Sequence, residues 1–495
     1  MESELFDPPR GSLRKSVGRG AVVTALAQGA RVVLQIVSVV VLARLLSPRD
    51  FGVVAMCAPV LAFVGLFQDL GLSQATIQKS DIRHEEVNVL FWINVGVSIV
   101  LACMLASIGP LVASFYGEPG VAALVVAFGL QIMVCGLGAQ HLALLTRRMQ
   151  FTRLAVIDVG SGVVSLVVSI AWTFIDNSYW ALFAGTLAGT VFATVGYWIS
   201  SRWRPGKPAK VDGISGLINF GAGITGFNFA NFFARNLDNI LIGKYWGEMQ
   251  LGLYDRAYKL LLFPLGQITN PLSKVMIPAL SRLQDEPDRY RSAYLRVLPL
   301  ILLLALPGVA FATAMSGVLV PFVLGEQWQH SADIFFALGF AGLLQPLNNP
   351  AGWLFISQGR SSDFMRWGII TAATSVLAFV IGLPYGAVGV AVAYAISEYL
   401  RTPFLWLYIG KMGPLRAGHI FRVAMPFVLG AHLALVIVWY ARPMLAEQPL
   451  AALAGGAVLS YVVVVVVASA FAAGRETLGE AFGLAKRAFP RHAVT

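Results

Sequence analysis

The feature that most constrains this chain is a series of apolar segments, each about as long as a lipid bilayer is thick. A hydrocarbon core of about 30 Å requires roughly 20 apolar residues in a helix. We place about fourteen such segments in the chain, in which 57% of the 495 residues are hydrophobic and 12% are charged. Runs such as 32–43 and 458–470 do not alternate between apolar and polar residues, as barrel strands do. The sequence therefore predicts an all-α integral membrane protein with about 14 transmembrane helices.

Basic residues mark the predicted cytoplasmic side. With the N-terminus inside, 27 of the 36 Lys and Arg residues fall in cytoplasmic segments and four in the opposite loops. Cytoplasmic loops of membrane proteins carry such an excess, so both termini are predicted to be cytoplasmic (N-in/C-in). Topology also explains the formal charge of +11, and no nucleic acid partner is expected. The three cysteines lie inside apolar segments, so we expect neither disulfides nor a metal centre, and no cofactor.

A basic linker over 202–213 divides the chain. We expect an N-terminal bundle of six helices over 1–201 and a C-terminal bundle of six more over 214–411. Two further helices follow over 412–473, and a cytoplasmic amphipathic tail over 474–495.

An internal repeat relates the two bundles. The stretch 42–53 aligns without gaps with 242–253, at an offset of 200 residues. Each copy joins the first two helices of its bundle, and an apolar–glycine pair, ending at Gly52 and at Gly252, starts the next helix. Because both copies have the same orientation, the repeat is parallel and its axis runs along the membrane normal. We therefore expect two parallel-repeat bundles around a central cavity.

Polar residues are concentrated in three of the predicted helices. A charge inside the bilayer is costly, so such residues usually face a cavity and mark a transport pathway. Helical spacing groups them along a hydrated, net cationic vestibule, which suits an anionic substrate because guanidinium groups bind phosphate in bidentate fashion. The candidate substrate-binding residues are Arg31, Gln35, Asn231, Arg235, Asp238, Arg256, Lys259 and Lys274.

Local ion pairs are an alternative explanation for part of this charge. Asp238 follows Arg235 by three residues and Lys259 follows Asp255 by four, and these spacings allow pairing within one helix. Arg31 has no such local partner, which makes it the best candidate for contact with the substrate.

Two other carboxylates in apolar segments, Asp158 and Glu398, leave two roles open. Each could titrate as a coupling site, or pair with an arginine at the cytoplasmic end of a helix. The sequence contains no P-loop, no Gly-x-Ser-x-Gly elbow and no His-Glu-x-x-His motif. The outer loops are too short for a glycosyl-transfer site, so we expect a transporter and not an enzyme.

Four stretches carry a family resemblance. They are Leu-Ala-Arg-Leu-Leu-Ser-Pro-Arg-Asp-Phe-Gly-Val-Val at 42–54, Phe-Gln-Asp-Leu-Gly-Leu-Ser-Gln-Ala-Thr-Ile-Gln at 67–78, Phe-Trp-Ile-Asn at 91–94 and Arg-Met-Gln-Phe at 148–151. The chain resembles the polysaccharide-transport (Wzx- and colanic-acid-exporter-like) flippases of the multidrug/oligosaccharidyl-lipid/polysaccharide superfamily. The resemblance is strongest over about 20–200 and fades after about 410.

The resemblance implies alternating access in a bacterial cytoplasmic (inner) membrane. The implied substrate is an undecaprenyl-pyrophosphate-linked oligosaccharide repeat unit for exopolysaccharide, capsule or O-antigen biosynthesis. Membrane lipid is a further partner, and a polysaccharide polymerase and a chain-length regulator are candidate protein partners. The alternatives are a multidrug exporter of the same superfamily and, from a different class, a membrane glycan polymerase or ligase. A lipid II flippase fits the motifs less well.

The family motifs also supply positions at loops and helix ends. We expect these to be gating or architectural and not ligand contacts. They are Arg44, Asp50, Gly52, Asp69 and Gly71.

Overall fold

The computed structural model describes residues 13–68, 71–79, 82–207, 214–411, 413–445 and 448–488, with the side chains of 13–22, 214–235, 485, 487 and 488 outside the description. Within these ranges the regular elements are all helices, as predicted. In chain order they are α1 (Leu13–Leu45), α2 (Pro48–Gln68), α3 (Leu72–Gln78), α4 (His84–Tyr116), α5 (Gly120–Arg147), α6 (Phe151–Thr173), α7 (Trp180–Ser201), α8 (Ile214–Ser281), α9 (Pro287–Ala314), α10 (Ser316–Leu324), α11 (Gln329–Asn348), α12 (Ala351–Ser357), α13 (Ser361–Gly382), α14 (Gly386–Gly410), α15 (Ala417–Ala441), α16 (Pro449–Ser469) and α17 (Ala472–Ala488). Short 3-10 turns lie at Glu326–Trp328, Leu383–Tyr385 and Arg442–Met444.

The predicted apolar segments fall largely on these helices. In the described residues, ten helical segments are long and apolar enough to cross a membrane, and one of them, Ser361–Gly410, contains both α13 and α14. The chain is therefore a multi-pass helical membrane protein. The number fourteen and the cytoplasmic placement of both termini remain predictions.

The longest helix differs in detail from the prediction. The sequence predicts separate helices over 215–243 and 254–279, whereas α8 runs through both. Its interruption lies at Gly247, where φ is 76°, a conformation that glycine adopts readily because it has no Cβ atom. Two helical arms thus meet at Gly247, without an intervening loop.

The chain divides into two compact units, Met1–Gly252 and Leu253–Thr495. In the first unit α4 packs on α5, α6 on α7, and α1 on α6; in the second, α9 and α16 pack on α15, and α13 on α14. The described part of the predicted tail belongs to α17, which packs on α9, α15 and α16. Arg296 of α9 forms an ion pair with Glu480 of α17 at 2.9 Å. The predicted division of the membrane bundles at 202–213 remains a prediction.

Within the first unit the two copies of the internal repeat pack against each other. A Cβ atom added at Gly52 would lie 1.7 Å from the backbone oxygen of Glu248, and one added at Gly252 would lie 1.9 Å from that of Pro48. Pro48 and Glu248 occupy equivalent positions of the two copies. The contact is therefore reciprocal, as in an interface across a two-fold axis. We call these four residues the glycine clasp.

Ion pairs surround the glycine clasp. Arg49, whose side chain is 59% exposed, lies 3.2 Å from the carboxylate of Glu118 and 3.1 Å from that of Glu248. Lys244 donates to the backbone oxygen of Phe115 at 2.5 Å and lies 4.9 Å from the centre of its ring. These contacts join the end of α4 and the residues after it to both copies of the repeat.

The start of the predicted linker is anchored on the first unit. Trp203 is buried, and its indole N–H donates to Nδ1 of His84 at 3.2 Å. The backbone N–H of Gly206 donates to Asn88 at 3.0 Å, and its carbonyl accepts from the Trp92 indole at 2.8 Å. The first residues of the linker are therefore part of the folded unit.

Trp203→Ala should destabilise the first unit. Truncation of a fully buried tryptophan leaves a cavity and costs about 3–5 kcal/mol. We expect a clearly lower melting temperature for the purified protein in detergent, measured by scanning fluorimetry. Trp172→Ala is the matched control, since that side chain is 37% exposed on α6. Equal shifts in the two variants would contradict the anchoring role of Trp203.

Candidate functional site

The candidate site is built around Arg31, on α1. Its Nη1 donates to Oδ2 of Asp158 on α6 at 3.0 Å, and the hydroxyl of Tyr197 on α7 donates to Oδ1 of the same carboxylate at 3.0 Å. The side chains of Arg31 and Asp158 are 40% and 31% exposed. We call these three residues the Arg31 triad. Asp158 therefore pairs with an arginine, which was one of the two predicted roles. This arginine lies within a helix and not at the cytoplasmic end of one.

Close helix packing brings the triad together. A Cβ atom at Gly185 would lie 1.9 Å from Oγ of Ser169, and one at Gly189 would lie 2.9 Å from the backbone oxygen of Ser161. Small residues of this kind let membrane helices approach closely, and here they seat α7 on α6. The partner of Arg31 is 127 residues away in the chain, so the sequence around Arg31 gives no sign of it.

Arg31 has hydrogen-bonding capacity beyond this ion pair. A guanidinium group carries five N–H donors. Among the described residues, Nη1 donates to Asp158, whereas the buried Nε has no hydrogen-bond partner. Gln35, one turn farther along α1, has an exposed side chain. The triad can therefore offer further donors to an oxyanion.

A second cationic cluster lies in the second unit, on α8. The buried carboxylate of Asp255 lies 2.8 Å from Nζ of Lys259 and 3.0 Å from Nη2 of Arg256. The side chain of Lys259 is 57% exposed and that of Arg256 16%. The local pair that the spacing of Asp255 and Lys259 allowed is thus present. One carboxylate between two cations leaves the cluster net positive. Lys274, farther along α8, is exposed.

Three other candidates are described only in part. The side chains of Asn231 and Arg235 lie outside the described residues, as does the possible pair of Arg235 with Asp238. Asp238 itself is buried, and its carboxylate accepts the backbone N–H of Asn239 at 2.8 Å. Asp69, one of the gating or architectural positions, also lies outside the described residues.

The other gating or architectural positions lie at turns and close contacts. The Asp50 carboxylate accepts the backbone N–H of Ser47 at 3.0 Å while the Ser47 hydroxyl accepts that of Asp50 at 3.3 Å, a capping box that starts α2. Gly52 belongs to the glycine clasp. Gly71 has φ 70° immediately before α3, which favours glycine. Arg44 is exposed near the end of α1.

Glu398, the second open carboxylate, pairs with Arg401 on α14. Arg401 also donates to the hydroxyls of Ser375 at 2.6 Å and Thr374 at 2.9 Å on α13. These contacts tie α13 to α14, and they correspond to the alternative in which Glu398 pairs with an arginine.

Comparison of the sequence with known proteins identifies a family and several relatives. The model of the family described as "Polysaccharide biosynthesis protein" matches residues 41–333. The chain is 25% identical over 449 residues to the lipopolysaccharide biosynthesis protein WzxC of Escherichia coli (strain K12), covering 89% of this chain and 90% of the relative. It is 25% identical over 397 residues to the succinoglycan biosynthesis transport protein ExoT of Rhizobium meliloti (strain 1021), covering 80% and 78%.

The fold is also shared with a solved structure. The lipid II flippase MurJ in an inward closed conformation superposes with a TM-score of 0.74 at 13% identity, over 90% of this chain and 98% of that one. The family match and the two relatives confirm the resemblance drawn from 42–54 and the other three stretches. Because the family model covers more than half of the 495 residues, this multi-pass protein of the cytoplasmic membrane belongs to the polysaccharide biosynthesis protein family.

Proposed function

We propose that this chain is a flippase, which moves undecaprenyl-pyrophosphate-linked oligosaccharide repeat units across the cytoplasmic membrane by alternating access. Family membership supports a role in polysaccharide assembly. So do the names of WzxC and ExoT, which refer to lipopolysaccharide and succinoglycan biosynthesis, the latter as a transport protein. The fold shared with MurJ supports the transporter architecture.

The observation that carries the proposal is the Arg31 triad inside the membrane-spanning helices. Ionised side chains in such helices are costly and mark transport pathways more often than packing contacts. Arg31 is partly exposed, and its Nε has no hydrogen-bond partner among the described residues. A guanidinium group of this kind binds a phosphate group through two parallel hydrogen bonds. A pyrophosphate-linked lipid supplies such a group at the point where the glycan is attached.

Each compact unit contributes positive charge to the proposed transport. In the first unit Arg31 provides a guanidinium, and in the second Lys259 and Arg256 share one carboxylate. An anion that crosses a hydrocarbon layer needs compensating charge along its path. We therefore propose anion-binding residues in each unit by itself: Arg31 with Gln35 in the first, and Arg256 and Lys259 with Lys274 in the second. Asn231, Arg235 and Asp238 of the first unit remain proposed substrate-binding residues.

Deletion of the gene in its host should block polymer export. With the initiating sugar transferase placed under a controllable promoter, we expect loss of surface polymer and accumulation of undecaprenyl-pyrophosphate oligosaccharide on the cytoplasmic face. Mass spectrometry of extracted lipids measures the amount, and an impermeant periodate reagent reports the face. Repeat units that accumulate on the outer face would favour the polymerase or ligase alternative. Normal polymer together with heightened drug sensitivity would favour a multidrug exporter.

A further inference from the structure

The Arg31 triad contains an anion of its own. The Asp158 carboxylate occupies one donor of the Arg31 guanidinium, at 3.0 Å, so a phosphate group that approaches Arg31 meets a site already partly filled. Both side chains are only partly buried, and the described contact joins one guanidinium nitrogen to one carboxylate oxygen. Because a guanidinium group carries five N–H donors, a second anion can approach Arg31 and compete with Asp158.

Two details make the pair open to exchange. The contact uses a single N–H of Arg31, and the Nε donor has no partner among the described residues. Arginine–carboxylate pairs frequently have two parallel hydrogen bonds, and this pair has one among the described contacts. A phosphate group with more charge and more acceptor oxygens can use the unspent donors, and it therefore competes well with a carboxylate that is bound at one point.

Tyr197 gives the displaced carboxylate a second partner. Its hydroxyl donates to Oδ1 of Asp158, the oxygen that Arg31 does not use. If the ion pair opens, the carboxylate keeps this hydrogen bond. Without Tyr197 the freed carboxylate would lose all its described partners within a membrane-spanning helix, which raises the cost of displacement.

We propose that Asp158 is an exchangeable counter-ion of Arg31, which the phosphate group of the lipid-linked substrate displaces and which Tyr197 retains until the substrate leaves. The inference rests on the proposed function and adds to it a means of release. The returning carboxylate competes for the guanidinium, so the bound lipid does not remain trapped on Arg31. Asp158 and Tyr197 are thus positioning residues for substrate exchange.

Asp158→Asn tests the competition directly. The amide keeps the shape of the side chain and an oxygen for Tyr197, but it removes the competing charge. In lipid nanodiscs we expect this variant to bind undecaprenyl pyrophosphate several-fold more tightly than the wild type. The affinity for undecaprenol, which has no phosphate, should stay unchanged. In the double variant with Arg31→Ala this increase in affinity should vanish, because the phosphate group then has no guanidinium to bind.

Tyr197→Phe distinguishes a role in substrate exchange from a purely structural role in holding Arg31 in place. Exchange predicts opposite effects: Asp158→Asn tightens binding of undecaprenyl pyrophosphate, whereas Tyr197→Phe weakens it several-fold. If both residues merely held Arg31 in place, both variants would bind more weakly, and that result overturns the inference alone. A wild-type protein that binds undecaprenyl pyrophosphate no better than undecaprenol would overturn the proposed function as well. Melting temperatures of all variants, measured in the same nanodiscs, identify any loss that comes from unfolding.

Discussion

Arg31→Ala should abolish surface polymer while the protein still accumulates in the membrane. The substitution removes the guanidinium that is proposed to bind the pyrophosphate group. A hydrogen bond to a charged group contributes about 1.5–3 kcal/mol, which corresponds to roughly tenfold to a hundredfold in transport rate. The measurement is polymer yield after complementation of the deletion strain, with the amount of membrane protein determined by immunoblot. Normal export by this variant would remove Arg31 from the site.

Three further variants make that result specific. Arg31→Lys keeps the positive charge but loses the planar guanidinium group that can form two parallel hydrogen bonds, so we expect only partial export. Arg296→Ala removes an arginine that is 67% exposed and pairs with Glu480, and it should export normally. Because Arg31→Ala leaves Asp158 as an uncompensated charge, some instability is expected from that cause alone. The double variant Arg31→Ala/Asp158→Asn removes both charges, and it should regain stability without regaining export.

Much of the fold could be predicted from the sequence because the bilayer imposes one strong rule. A helix needs a long apolar run to cross it, and the segment predicted over 121–145, for example, corresponds to α5 at Gly120–Arg147. The junction within α8 is harder to predict, since the sequence favours two separate helices on either side of Gly247. A single glycine with positive φ turns the chain there while its neighbours remain helical, and hydropathy does not report that difference.

The candidate site was only partly predictable, because its contacts differ in sequence separation. The pair of Asp255 with Lys259 follows from helical geometry, since residues four apart face each other. The pair of Arg31 with Asp158 depends on the packing of α1 on α6, and one sequence gives no signal for that packing. The polar character of Arg31 marked it as a candidate, but the partner that defines its chemistry required the structure.

The internal repeat is also only partly predictable from the sequence. The alignment of 42–53 with 242–253 is visible in the sequence, and so are the two glycines at equivalent positions. Their contact with each other's repeat is not visible, because similarity between two segments does not imply that they touch. The structure adds that the spacing shared by the two copies of the repeat serves a reciprocal backbone contact.

Gly52→Ala and Gly252→Ala should each destabilise the first unit. In both cases the new methyl group would meet a backbone oxygen, at 1.7 Å and 1.9 Å, and backbone atoms cannot move aside by a rotamer change. Overpacking of this kind costs about 1–3 kcal/mol, and the better helix propensity of alanine recovers only up to about 1 kcal/mol. The matched control is Gly65→Ala on the same helix as Gly52, where nothing lies within 4 Å of the added atom. Scanning fluorimetry in detergent should show an unchanged or raised melting temperature for the control and lower values for both clasp variants.

The double variant tests whether the glycine clasp is a single contact. Once alanine at position 52 has pushed the two repeat copies apart, the carbonyl of Pro48 also moves away from position 252, so the second methyl group meets less resistance. We therefore expect Gly52→Ala/Gly252→Ala to lose less stability than the two single variants together, with a coupling of about 0.5–3 kcal/mol. Additive losses would mean that each glycine fits its own independent site. In that case the reciprocal geometry would reflect two separate packing requirements and not one symmetric contact between duplicated segments.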